Sequence, residues 1–468
     1  MKIVLIGCGQ VGRAFLELIP ICKLLSPDIH KNIFIIEPRK IPRLALFKPY
    51  SIKHLRAALT QNNMDKILGK YLETGDVVVD VSVNVDALSV MKWCNKKNCI
   101  YINTSMEDWL VESPETIDSD PKALYERSLY SRILSGKKQF GKSGPSMLAD
   151  QGMNPGLISQ FTMRAIDDFS KHSQNQQAMD FAQRGLYAEA ARELNIRVIH
   201  ITEHDTQITK KVRPPGVFWN TWSAEGLLAE SLDPVQIGIG TEDDSNFVKG
   251  SIVPEEGPGN VCIMPQRGMD CRLWSVTPSR HKSGFQKFVG CSIPHGEANT
   301  ISNVLTTYDE IGHPTYRPSV FFVYKPCPSG CSSLTEVKQN KYTPQEKYHT
   351  LSLPEIRDGY DAIGVLLITA DEKGYKNSWW CGTVLDTSDM AKIGIKYSGP
   401  TTIQVAISLI SALKWLLEHP GEGFLTPESL PHIQMLNDAM PYLGKVYSGP
   451  VKMPHHKKVN YDAYKYKN

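Results

Sequence analysis

The feature that most narrows what this chain can fold into is its opening, MKIVLIGCGQVG. Ile3, Val4, Leu5 and Ile6 form an apolar run suited to a strand buried on both faces, and Gly7, Gly9 and Gly12 follow at GxGxxG spacing where a helix should begin. Such a strand, turn and helix bind the pyrophosphate of a dinucleotide. Gly7 permits the tight turn, Gly9 lets the backbone approach the phosphates, and Gly12 lets the helix pack close to the strand. The anion then rests on the N–H groups at the helix start, here Gln10 and Val11.

The glycines alone would also fit an ordinary turn, so their context decides. Asn32–Arg39 (NIFIIEPR) supplies a second apolar strand that ends in Glu37, 25 residues beyond Gly12. An acidic residue about 20 residues on is where ribose hydroxyls need an acceptor. Glu37 favours NAD, because a carboxylate repels a 2′-phosphate, whereas Arg39, Lys40 and Arg43 just behind it can accept that phosphate and keep NADP open.

Strand and helix patterns then alternate, which implies a parallel sheet with right-handed crossovers. Helices are expected near Gln10–Ile19, Lys53–Leu59, Met64–Leu72, Asp86–Asn95 and Lys122–Leu134, and strands at Asp76–Val81, Cys99–Asn103 and Met147–Ala149, with a loop over Ser135–Pro145. Ser82, Asn84, Thr104 and Glu107 follow strand ends and should lie on the carboxyl edge, where open α/β sheets bind ligands. In QGMNPGLIS, Asn154 and Pro155 are good helix-start residues, and by pattern Asn154 is a cap. From about Ile196 the character changes to strands (Arg197–Thr202, Val235–Gly240, Cys262–Met264, Phe321–Tyr324, Asp361–Thr369, Trp379–Val384) joined by long loops rich in glycine and proline. Ser398–His419 predicts a long amphipathic helix that returns to the first domain.

The expected fold class is therefore α/β: a Rossmann-type parallel sheet over residues 1–150, and an α+β domain for substrate binding and dimerisation over 151–395. Residues 396–468, the C-terminal helix and tail, should pack back on the first domain. The chain of 468 residues carries a net charge of +3, and its last twenty residues hold five lysines against Asp462, so the remainder is close to neutral. Nucleic acid is thus not expected as a partner, and the tail reads as a mobile or surface-docked end. Ten cysteines in a chain with no secretory pattern read as reduced thiols of the cytoplasm, and neither Cys94/Cys99 nor Cys327/Cys331 has partners at zinc-site spacing, so no metal is expected. Val405–Leu417 is too short and too interrupted to span a membrane.

Three stretches concentrate polar groups in the second domain: Thr202-Glu203-His204, Trp219–Glu230 and Pro294–Ser302. Singly, Glu203, Trp222, Glu230 and His295 each have a structural explanation as strand end, core or loop residue. Their context changes with resemblance. GCGQVG, YINTSMEDW, NPGLIS, NTWS, PHGEANTIS, DGYDAIG and SGPTTIQVA recur in order over nearly the whole chain, and in this the sequence resembles the bacterial-type homospermidine synthases of the saccharopine-dehydrogenase-like group. Gln151 and Met153 depart from that pattern.

The resemblance implies an NAD-dependent, redox-neutral transfer of an aminobutyl group that joins two putrescine molecules through Schiff bases and releases ammonia, in a homodimer. It implies that Glu203, Glu230 and Asn154 hold the inner ammonium, that Trp222 offers a π face, that Glu107 grips the outer ammonium, and that His295 with Glu297 moves protons. Asp361 joins the acidic wall. The residue types suit dications, which leave water only for carboxylates, amide oxygens and aromatic faces. The rival expectations are a saccharopine- or carboxynorspermidine-type reductase, whose substrate carboxylates need Arg or Lys (Arg213, Arg267 and Arg272 lie near in sequence), and an NAD-binding protein without catalysis.

Overall fold

In a computed structural model, which describes residues 1–29, 32–41, 52–109, 125–126, 128–243, 251–254, 257–280, 284–454 and 456–466, the chain divides into two units. The first comprises Met1–Leu157, Ser352–Pro354 and Ser388–Tyr442, and the second Ile158–Leu351, Glu355–Thr387 and Leu443–Asn468.

In the first unit, short apolar runs pair in parallel into a seven-stranded sheet. Its order is Glu422–Leu425, Gly144–Leu148, Ile100–Asn103, Val77–Asp80, Ile3–Ile6, Ile33–Ile36, Ile52–Leu55. The chain builds outward from Ile3–Ile6 on one side and then returns to build on the other, so the strand order reverses beside the glycine turn, where such sheets bind ligands. Ile52–Leu55 is a strand rather than the start of the helix expected over Lys53–Leu59. The free edge of Ile33–Ile36 supplies it a ladder, and Lys53 lies over the Phe34 ring. Of the helix expected near Lys122–Leu134, Tyr125 and Glu126 are helical, and the helix Leu129–Phe140, capped by Ser128, takes in its end and runs on through half of the expected loop over Ser135–Pro145. Residues 110–124 and Arg43 lie outside the described residues.

The long helix is Pro400–Glu418, and it packs within this unit on Gln10–Cys22. Glu17 on the latter anchors its approach, accepting from the N–H groups of Lys396, Tyr397 and Ser398 at 2.6, 3.1 and 3.0 Å. The helix is long and apolar enough to cross a membrane, yet 83% of its most apolar window is buried inside the protein, which marks a core helix.

The second unit is built on a nine-stranded mixed sheet whose central strand, Ile196–Asp205, runs parallel to Ser319–Lys325 and antiparallel to Tyr360–Asp371. One face of these strands buries Val198, Phe321, Val323 and Leu366 in a hydrophobic core that also takes in Trp380, Tyr461 and Tyr464. Residues 443–468 therefore belong here and not with the first domain. Lys445–Pro450 adds a strand to the edge of Gly374–Asp386, and Tyr461 and Tyr464 are buried, so the described part of the tail, expected to be mobile or docked on the surface, packs into the core of the second unit.

Candidate active site

The glycine turn has the shape its spacing predicts. Gly7 has φ +83°, and a Cβ on it would come within 2.8 Å of the Ser82 backbone on the neighbouring strand end. A Cβ on Gly12 would approach the Gly7 carbonyl oxygen at 2.7 Å. At Gly9 the same atom would meet none of the described residues within 4 Å, so a group could approach the N-terminus of Gln10–Cys22 there. Glu37 lies at the end of the adjacent strand with Oε2 accepting from Cys8 N–H and Oε1 from the backbone and Nε of Arg39, all at 3.0 Å. Burial alone would raise its pKa, but these donors outweigh burial and lower it, so an anionic acceptor faces the place a ribose would occupy.

Across the switch point, Asp80 accepts from Ser82 N–H and Oγ and from the Tyr101 hydroxyl, while burial pushes its pKa up to about 6. Asn84 adopts φ +61°, and Thr104 is half-buried directly after Ile100–Asn103. Glu107 follows on a loop held by Arg132, whose Nη2 donates to the Glu107 carbonyl at 2.6 Å and whose Nε donates to that of Met106 at 2.7 Å. Asn154 lies in the same unit, three residues ahead of the helix Leu157–His172, so the helix begins later than a cap at Asn154 would require.

The second unit gathers the remaining candidates. Pairing places Tyr324 opposite Glu203, Ile363 opposite Glu203, and Asp361 opposite Asp205. Side chains alternate along a strand, so Glu203, Asp205, Asp361, Phe322 and Tyr324 share the face opposite the hydrophobic core. The carboxyl-terminal half of that face carries three buried carboxylates and no cation from these three strands. Asp205 accepts from Thr221 Oγ1 at 2.6 Å and from Gln207 N–H and Nε2 at 2.8 and 3.0 Å; burial outweighs these bonds and raises its pKa to about 6.

Two helices bring the other side chains to this face. Ala224–Leu232 is capped by Ser223, whose Oγ accepts from Gly226 N–H. Trp222, Gly226 and Glu230 recur every four residues, so Trp222 leans over Gly226 and Glu230 continues the same stripe. The indole N–H donates to the Tyr324 hydroxyl at 2.9 Å. Gly296–Val304 starts after His295 and comes close to the sheet because Gly238 has no side chain, a Cβ there colliding with the Ala298 carbonyl oxygen.

His295 lies between two carboxylates. Its Nδ1 is 2.9 Å from Glu297 Oε1, its Nε2 is 3.5 Å from Glu230 Oε2, and its ring centroid is 4.3 Å from that of Phe322. Burial works to lower its pKa, but Glu297 and Glu230 outweigh burial and raise it well above the ordinary value, so the imidazolium is the resting form near neutrality.

The structure thus brings Trp222, Glu230, His295, Glu297, Glu203 and Asp361 to one face of the second unit, while Asn154, Glu107 and the residues of the glycine cradle belong to the first. Asp205 and Tyr324 were not singled out in the sequence. The period of two along HITEHD puts Asp205 on the Glu203 face and was a usable signal; nothing in VFFVYK marked Tyr324, whose partner comes from a remote turn. Among the arginines a carboxylate substrate would need, Arg213 pairs with Glu336 at 2.6 Å and Arg267 stacks over Tyr342. Cys327, read only as a free thiol, caps the helix Pro328–Gln339 by accepting from Gly330 N–H at 3.3 Å.

Residues 3–148 match the saccharopine dehydrogenase NADP binding domain family. The chain is 29% identical over 455 residues to a homospermidine synthase of Mesorhizobium japonicum, covering 95% of this chain and 89% of that one. It is 29% identical over 449 residues to a homospermidine synthase of Blastochloris viridis, with 95% and 90% covered. The solved structure of the homospermidine synthase from Legionella pneumophila in complex with NAD superposes with a TM-score of 0.82 at 31% identity, covering 97% of this chain and 91% of that one.

Proposed function

The chain belongs to the homospermidine synthase family, and on that premise we propose that it joins two putrescine molecules into homospermidine with release of ammonia, using NAD without net consumption. The observation that carries this reading is the face of the second unit on which three buried carboxylates, a tryptophan and an imidazolium held between glutamates meet. A dication is stabilised there, whereas the substrate of a saccharopine- or carboxynorspermidine-type reductase would bring carboxylates against carboxylates.

The open N-terminus at Gly9, Gln10 and Val11 holds the pyrophosphate, Gly7 and Gly12 shape that turn, Glu37 takes the ribose hydroxyls, and Ser82, Asn84 and Thr104 line the sheet edge. Bound there, NAD would supply a hydride acceptor for the amine-bearing carbon of the first putrescine and a hydride donor for the imine made with the second, with no net change in the cofactor. Glu203 and Glu230 bind the inner amine and remove its proton, since only a neutral amine donates hydride, and Asp361 adds to the acidic wall. Trp222 presents its π face to the cationic iminium, worth about 2 kcal/mol in a desolvated site. After the second amine has added to the iminium carbon, His295, oriented and kept protonated by Glu297, protonates the original nitrogen and takes a proton from the incoming one, so that ammonia departs as the new C=N bond forms. The same family reading makes the protein a cytoplasmic homodimer with neither nucleic acid nor membrane as partner, which sedimentation of the purified chain tests.

The experiment is incubation of purified protein with catalytic NAD and putrescine as sole substrate, products being read by mass spectrometry. Homospermidine and ammonia without accumulated NADH are expected. NADH rising in step with product would replace this reading by a simple dehydrogenase, and no product at all would leave a protein that binds NAD without catalysis.

A further inference from the structure

We propose that Tyr324 and Asp205 are positioning residues that together fix the plane of Trp222, an inference that deepens the reading of this site and rests on it. Trp222 is only half-buried and stands on a turn ahead of a helix, so packing by itself leaves its ring free to turn. A π face contributes to cation binding only when the ring lies flat to the cation, because the attraction comes from the quadrupole above the ring and reverses at its edge. The ring therefore needs to be held, and three contacts hold it.

The first is the indole N–H on the Tyr324 hydroxyl at 2.9 Å. Tyr324 is itself immobile: it is buried on a central strand and stacks on Phe322 at 5.5 Å with 8° between planes. Burial, followed by the charges of Glu203 and Asp205, raises its pKa well above the ordinary value, so it remains a neutral phenol able to accept from the indole. The second contact acts on the backbone. Thr221, the residue before Trp222, donates through Oγ1 to Asp205 Oδ2 at 2.6 Å, and Asp205 is in turn fixed by both donors of Gln207. The third is steric, since the Trp222 ring would lie 2.8 Å from any Cβ on Gly226 and so rests directly on the helix backbone. Phe322 also packs on the His295 ring. One strand, through Phe322 and Tyr324, thus sets both the aromatic face and the imidazole.

The test uses the full chain loaded with NADH, from which bound putrescine can lose no hydride, so that amine affinity is read by calorimetry apart from turnover. Tyr324→Phe should weaken putrescine binding about three- to tenfold, the value of one hydrogen bond, in the Trp222 protein, and less than about twofold in a Trp222→Phe background, where the bond has already gone. Thr221→Val should weaken binding over a similar range, and Thr221→Ser, which keeps the hydroxyl, should restore it. In the nuclear magnetic resonance spectrum the Trp222 indole N–H, assigned by its loss in Trp222→Phe, should move in Tyr324→Phe. Equal weakening by Tyr324→Phe in both backgrounds, or an unmoved indole N–H, would overturn the clamp. So would indistinguishable Thr221→Val and Thr221→Ser proteins. Should the unmodified protein neither bind nor convert putrescine, the functional reading falls instead, and the indole resonance, recorded without any amine, still decides the clamp.

Discussion

The Nδ1 of His295 lies 2.9 Å from Oε1 of Glu297, two residues on and buried at the start of the same helix. This contact gives the histidine its charge, because burial without Glu297 and Glu230 would make the imidazole neutral. Its contribution to stability is full below the ordinary histidine pKa of about 6.5 and is lost as pH rises through the raised folded value.

Loss of that charge should be visible in turnover. Glu297→Gln is expected to lower kcat about 10²-fold and to move the alkaline limb of the pH–rate profile toward neutrality, with His295→Asn abolishing the limb. Initial rates of homospermidine formation between neutral and alkaline pH measure this; an unmoved limb in Glu297→Gln would take the proton-transfer role away from His295.

The glycine cradle separates folding from binding. Gly9→Ala adds a methyl to open space and should leave the unfolding midpoint in urea unchanged while abolishing the stabilisation that NAD confers. Gly12→Ala drives a Cβ against the Gly7 carbonyl and should cost about 1–3 kcal/mol even without cofactor. If both variants unfold alike and both retain NAD stabilisation, the phosphate site lies elsewhere.

Glu37 is expected to set the choice between the two nicotinamide dinucleotides. Glu37→Ser removes the anion that would face a 2′-phosphate and leaves the Arg39 guanidinium without its carboxylate partner. The ratio of NADP to NAD affinity, read from ligand-induced shifts in melting temperature, should rise at least about tenfold, as one charge contact is worth. A ratio that stays constant would show that the ribose does not meet this strand end.

Acid should destabilise the second unit through two buried histidines. His200, fully enclosed with Nδ1 2.9 Å from Ser275 Oγ, and His204, stacked on Phe288, are held near pKa 3 by burial, with Lys325 adding to the effect on His204. Both are depressed, so their contribution is whole above pH 6.5 and falls as pH drops, each by about 1.4 kcal/mol per unit down to pH 3. Urea unfolding from pH 6.5 to 5 should show this slope, and a His200→Leu, His204→Leu protein should show much less of it.

The sequence by itself determined whatever rests on local order. Continuous apolar runs are strands, three glycines at fixed spacing make a tight turn into a helix, and the resemblance carried by NTWS and PHGEANTIS pointed to Trp222, Glu230, His295 and Glu297, which short elements of chain present as units. Tertiary structure alone decided what depends on elements meeting across long separations. Ile52–Leu55 became a strand because a neighbouring edge was free, residues 443–468 joined the second unit because an edge and a tyrosine-shaped core awaited them, and Glu17 tied down the approach to a helix nearly 400 residues later. Asp205 and Tyr324 met Thr221 and Trp222 in the same way. A hydrogen bond forms between atoms that are near in space, and chain order does not record which strand will lie beside which.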